Sequence, residues 1–170
     1  MRTQQCSPGR RRLLRICAIA LALAPLDASR AAGTELPQRF DPARDAARDL
    51  DAALEIARTT GRRVLVDVGG EWCTWCHILD RFFNGNAELK RLRENWYVLL
   101  KINWSPENTN AALLKRWPKI SGYPHFFVLD SDGRLLHSQD TSALESGNTY
   151  DPAAMRAFLV RWAPGGRPPA

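Results

Sequence analysis

Cys73 and Cys76 stand in the run Glu71-Trp72-Cys73-Thr74-Trp75-Cys76-His77. Two thiols separated by two residues can close a disulfide, hold a metal with further ligands, or, with the following histidine, anchor a c-type haem. These chemistries need different surroundings. A disulfide that opens and closes in catalysis needs one sulfur held as thiolate, which the unpaired N–H groups and dipole of a helix N-terminus favour. Haem attachment would use His77 as proximal ligand, with His125, His137 or Met155 as candidate partners. A zinc site from Cys73, Cys76, His77 and His125 lacks a second ligand pair as well spaced as the first.

The elements around the pair decide between them. Val64-Leu65-Val66-Asp67-Val68 is short, β-branched and nearly all apolar, as a central strand covered on both faces should be, and Gly69-Gly70 ends it. Cys73 to Phe83 reads as a helix that starts at the cysteines, with Ile78, Leu79, Phe82 and Phe83 on one side. This placement makes Cys73 the nucleophile and Cys76 the resolving thiol. Asn84-Gly85-Asn86 breaks the helix, and a second helical stretch runs to about Glu94.

Upstream, Asp41 and Pro42 read as N-cap and first residue of an amphipathic helix through Ala57, stopped by Gly61. Downstream, Trp96 to Ile102 is a strand, and Glu107 to Trp117 a helix ended by Pro118. Phe126 to Leu129 and Arg134 to His137 flank Ser131-Asp132-Gly133 as a hairpin. Residues 139–149 are polar and read as loop, and Asp151-Pro152 caps a last helix carrying Met155, Phe158, Leu159 and Trp162. Strands alternating with helices and closing in a hairpin imply an α/β fold, a central mixed sheet flanked by helices on both faces.

The chain has 170 residues and a formal net charge of +6. Residues 1–31 hold six arginines against one acid, so nearly all of that charge sits there and the remainder is close to neutral. The body therefore has no basic footprint for nucleic acid. Arg10 to Arg15, the apolar Ile16 to Leu26 and the small residues from Ala28 to Ala32 have the layout of an export signal, cut after Ala31 or after Ala28. Arg10-Arg11-Arg12 loosely matches a twin-arginine signal, but Gly9 stands where Ser or Thr would strengthen it, which favours the general route; an uncleaved interfacial anchor is the alternative. The apolar run is too short to span a bilayer, so no membrane span is expected after removal of the signal.

On this reading the divisions are a signal at 1–31, a domain at 32–163 and a disordered tail at 164–170. Cys6 and Cys17 leave with the signal, and Cys73 and Cys76 remain in an oxidising compartment, the bacterial periplasm. A bridge between them closes too small a loop to stabilise the fold much, so their chemistry is the better reason for them.

From Leu50 to Trp162 the chain resembles the thioredoxin family, specifically its exported members with a Trp-Cys-x-x-Cys site. Val64-Leu65-Val66-Asp67 leading to Trp72-Cys73 is similar to the family's strand and site, with Asp67 at its buried acid. Leu99 to Asn103 places Lys101 at the lysine that accompanies the acid, and Gly122-Tyr123-Pro124 resembles the cis-proline loop. The resemblance implies catalytic roles for Cys73, Cys76, Asp67 and Lys101, and substrate contacts for Trp72, Trp75, Tyr123 and Pro124. It implies no metal and no cofactor beyond the Cys73 to Cys76 disulfide. Its partners would be protein disulfides or dithiols and an upstream thiol-disulfide electron donor.

A buried Asp67 should have a raised pKa, fitting a base for Cys76; its structural alternative is a carboxylate satisfied by a loop or paired with Lys101. For Lys101 itself the ordinary expectation is a solvated strand end. Thr74-Trp75 departs from the family's familiar Gly-Pro, and 139–149 is longer than its counterpart. Thr74-Trp75, His77 and the long first helix lean towards the reducing members. A non-catalytic binding module on the same fold is the remaining alternative to the haem and redox readings.

Overall fold

A computed structural model describes residues 35–166. The expected export signal at 1–31 and residues 167–170 of the expected tail lie outside the described residues.

Four strands form one sheet in the order β2-β1-β3-β4, where β1 is Arg63–Gly69, β2 Tyr97–Asn103, β3 His125–Leu129 and β4 Leu135–Asp140. β1 and β2 run parallel, and β3 is antiparallel to both β1 and β4, so the sheet is mixed. β1 is central and buried along nearly its whole length, which is why its sequence lacks polar alternation.

The strand pleat divides the core. Val64, Val66, Val68, Leu100, Ile102 and Phe127 face α1 (Ala46–Thr60), which packs Leu50, Ala53, Leu54 and Ala57 against them. Leu65, Tyr97, Phe126 and Val128 point the other way, under α2 (Thr74–Gly85), α3 (Ala87–Trp96) and α5 (Pro152–Arg161). Asp67 and Lys101 lie on this second face, opposite one another in the β1–β2 register.

Three local expectations are corrected. The first helix begins at Ala46, not Pro42, and its cap is Asp45, whose carboxylate accepts from Ala47 and Arg48 N–H. Asp41 instead accepts from Ala43 N–H in a local turn, because the chain must first bury Phe40 at the site. The Glu107 to Trp117 helix is reduced to one turn, α4 (Ala111–Leu114). Asparagine side chains take the backbone partners there: Asn103 donates to Asn108 O, and Asn110, in the left-handed region at φ 47°, donates to Asn103 O.

Residues 139–149 are ordered rather than looped. β4 continues to Asp140, a 3₁₀ turn covers Thr141–Leu144, and β5 (Glu145–Ser146) pairs with β6 (Thr149–Tyr150). Buried Leu144 and Tyr150 fix this segment to the second core and buried Thr141 ties it to Pro124 O, a signal masked by its polar composition. Asp151 and Pro152 do open α5, with the Asp151 carboxylate accepting from Ala153 and Ala154 N–H.

Candidate functional site

Cys73 is the N-cap of α2, and its sulfur accepts from Cys76 N–H at 3.1 Å. The two cysteines form a disulfide and both are buried. The site therefore sits where the free N–H groups of α2 converge, the electrostatics that favour a thiolate on Cys73 after reduction. The preceding loop is closed by Cys73 N–H to Gly70 O at 2.9 Å and by the His77 ring on Glu71 O at 2.7 Å. Since a carbonyl only accepts, His77 donates from Nε2, and its role is to hold the approach to Cys73.

Gly69 explains how the disulfide fits against β1. A Cβ at Gly69 would come within 2.4 Å of Cys76 Sγ and 3.0 Å of the Phe40 ring. The Cys76 sulfur thus rests directly on the strand backbone. Asp67 lies two residues earlier in β1, so strand alternation puts it on the same face of the sheet as that contact.

Asp67 is buried, and Lys101 Nζ donates to its Oδ2 at 3.0 Å. Its Oδ1 has no hydrogen-bond partner among the described residues. Burial pushes the Asp67 carboxyl above its ordinary range, against the opposing pull of Lys101. Lys101 is itself buried rather than at a solvated end. Burial draws its ammonium down, but Asp67 and Asp80 together outweigh this and hold it above the ordinary lysine value. Asp80 Oδ1 accepts from Lys101 Nζ at 2.8 Å, and the ammonium lies 4.2 Å from the centre of the Phe40 ring. Lys101 is therefore a cation shared by a dry carboxylate and a half-exposed one.

The Tyr123–Pro124 peptide is cis. Pro124 is buried, and its carbonyl accepts from Thr141 Oγ1 at 2.5 Å. Tyr123 packs with Cys73, Cys76 and Phe40. Trp72 is 53% exposed, sets its ring edge-on to Tyr123 and Trp104, and donates from Nε1 to Trp104 O at 2.8 Å. Trp104 stacks on Tyr123 with centroids 5.1 Å apart. Trp75 also packs against the cysteines, half-buried and edge-on to Tyr150. Of the sequence-derived site residues, Trp75 and Tyr123 pack against the Cys73–Cys76 disulfide, Trp72 and Pro124 adjoin Tyr123, and Asp67 pairs with Lys101, whose ammonium lies over Phe40.

Sequence reasoning missed Gly69, Phe40, Asp80 and Trp104. Asp80 follows Cys76 by four residues, so both share a face of α2, a spacing that could have been read. Trp104 follows the end of β2 much as Trp72 follows β1, and parallel strand ends are where sites gather. Phe40 lies outside any periodic element and left no comparable signal.

Among the described residues no three His, Cys, Asp or Glu side chains come together in a way that could hold a metal ion. His125, invoked for zinc or haem, is buried behind the proline loop, with Nε2 on Ser138 Oγ at 2.9 Å. Its burial lowers its pKa.

A family model described as thioredoxin-like matches residues 45–131. Over 115 residues the chain is 29% identical to the thiol:disulfide interchange protein DsbD of Pseudomonas fluorescens, covering 67% of this chain and 18% of that protein. Among solved structures, the disulphide isomerase from Xylella fastidiosa Temecula1 superposes with a TM-score of 0.61 at 23% identity, over 75% of this chain and 97% of that one. The structural likeness supports the thioredoxin-like fold and the mixed sheet inferred from the sequence.

Proposed function

This chain belongs to the thioredoxin-like family of disulfide oxidoreductases, and we propose that it is a reductant of protein disulfides outside the cytoplasm. The observation that carries this reading is the Cys73–Cys76 disulfide at the N-terminus of α2, seated on Gly69 of the strand that also carries the buried Asp67 paired with Lys101.

In the reduced protein Cys73 is the thiolate. It attacks one sulfur of a partner disulfide, forms a mixed disulfide, and expels the other partner sulfur as thiolate. Cys76 then loses its proton towards the Asp67 carboxylate and attacks Cys73 Sγ. The second partner sulfur leaves, two electrons have passed to the partner, and the Cys73–Cys76 disulfide is restored. Lys101 orients Asp67 and keeps its charge tolerable in a dry site, while Asp80 keeps Lys101 charged. Trp72, Trp75 and Tyr123 form the surface on which the partner lies, and the buried Pro124 shapes the turn that presents Tyr123 there.

Export rests on the signal-like pattern of residues 1–31, which leaves 32–163 as the working domain. Among the described residues no helix is long and apolar enough to cross a membrane. The interchange protein that resembles this chain supports thiol-disulfide exchange with protein partners. The chain spans 18% of that protein's length, so an upstream thiol-disulfide donor is part of this proposal.

The test is reduction of a protein disulfide by wild type, Cys73→Ser and Cys76→Ser. Cys73→Ser should be inactive, and Cys76→Ser should accumulate a mixed disulfide with the partner. Wild-type activity in Cys73→Ser would reject the mechanism.

A further inference from the structure

A cleft of about 450 Å³ opens between the end of β2 and the loop leading to the proline turn, reaching Tyr123, which packs against the cysteines. Its walls include Trp104, Leu114, Trp117 and Tyr123, and two cations, Lys115 and Lys119, line it. Tyr123 belongs both to this cleft and to the packing around the cysteines, and Trp104 joins it to Trp72 by aromatic contact. The cleft is thus continuous with the surface proposed to receive the partner. No carboxylate lines it, and neither lysine nor the adjacent Arg116 makes an ion pair among the described residues.

We propose that this cleft is a specificity site that binds an extended segment of the partner protein flanking its disulfide, one that carries apolar side chains and acidic residues together. The inference rests on the disulfide-reductase reading and adds to it which partners are reduced fastest. Large aromatic walls supply contact area at little entropic cost, the composition that concentrates binding energy at interfaces. The lysines select charge. In the near-neutral body of the chain, Lys115, Arg116 and Lys119 place three cations within five residues, so the local field is more positive than the overall balance implies. An acidic segment gains from this field in encounter rate more than in final affinity, so the preference should fade with salt.

The test compares two synthetic disulfide peptides that share apolar residues beside the cysteine and differ in flanking Glu or Lys, plus hydroxyethyl disulfide as an uncharged probe. The wild-type protein should reduce the acidic peptide about tenfold faster in kcat/KM than the basic one at low ionic strength, a gap that narrows as the Debye length falls. The double variant K115E/K119E should reverse that order while its rate on hydroxyethyl disulfide stays at the wild-type level. Equal rates on the two peptides in wild type, or an order unchanged by the double variant, overturns the specificity site. Failure of wild type to reduce even hydroxyethyl disulfide would instead overturn the reductase reading on which the site rests.

Discussion

Replacing Asp67 with Asn separates the chemical role of this carboxylate from its role as an ion-pair partner. The side chain is buried with one oxygen on Lys101 at 3.0 Å and the other unpartnered among the described residues. Removing one member of a buried pair ordinarily destabilises by about 3–5 kcal/mol, because the other charge is stranded. Lys101 would not be stranded, since Asp80 holds it at 2.8 Å. The opposing effect therefore wins. An ionised carboxylate with an unpaired oxygen in a dry site costs about 1–3 kcal/mol, and a neutral amide of the same shape removes much of that cost.

The sign of the pH dependence follows. The folded pKa of Asp67 lies above its ordinary value of 3.8, so the unfolded chain gives up this proton at lower pH. Its contribution to stability is complete below that value and declines as pH rises through the folded pKa. Asp67→Asn should then be about 1–2 kcal/mol more stable than wild type near pH 8, with the difference shrinking towards pH 4. At the same time the step in which Cys76 resolves the mixed disulfide should slow by up to about a hundredfold, the scale of a lost general base. Denaturant unfolding of the oxidised protein at both pH values, together with stopped-flow reduction of a protein disulfide, reads both effects. A variant that is less stable by the same amount at both pH values and resolves at the wild-type rate would mean that Asp67 is a structural ion-pair partner.

Gly69→Ala should destabilise the oxidised protein by about 1–3 kcal/mol, because its methyl group must displace Cys76 Sγ or Phe40; comparison with the reduced form by thermal unfolding should show a smaller loss there. Thr141→Val removes the donor to Pro124 O, so about 1 kcal/mol should be lost and KM for a protein disulfide should rise while kcat holds. Proportional losses in kcat would show that Thr141 does more than support the loop. His125 has its pKa lowered by burial from 6.5, so the unfolded state binds its proton more readily. Wild-type stability should gain a component that rises with pH up to about 6.5, and His125→Gln should lack it in unfolding titrations.

The parts of this site legible in sequence are those imposed by short-range patterns. The apolar run of β1, the Cys-x-x-Cys at a helix start and the Gly-Tyr-Pro before β3 each constrain a few neighbouring residues, and resemblance to the family then related them across the chain. Asp67 and Lys101 meet, as the resemblance implied and against the ordinary expectation of a solvated lysine, because parallel pairing of β1 with β2 sets them opposite one another. Features decided by tertiary packing were less legible. Asp41 before Pro42 reads as the cap on paper, but with Phe40 buried the chain makes a local turn first and Asp45 caps the helix instead. The 141–150 segment looks solvated from composition, yet three buried side chains hold it to the core and one of them, Thr141, braces the proline loop. The truncated helix at 111–114 reflects asparagine side chains competing for backbone partners, an effect that apolar spacing does not register.

The direction of electron flow is the central functional claim, and the reduction potential of the Cys73–Cys76 couple measures it most directly. Equilibration of the protein with glutathione buffers, followed by quantitation of the free thiols, gives that value. A reductant of protein disulfides should lie below about −200 mV, towards the thioredoxin end of the range. A potential at or above about −150 mV, close to that of strong oxidants, would contradict the account and make this protein a donor of disulfides.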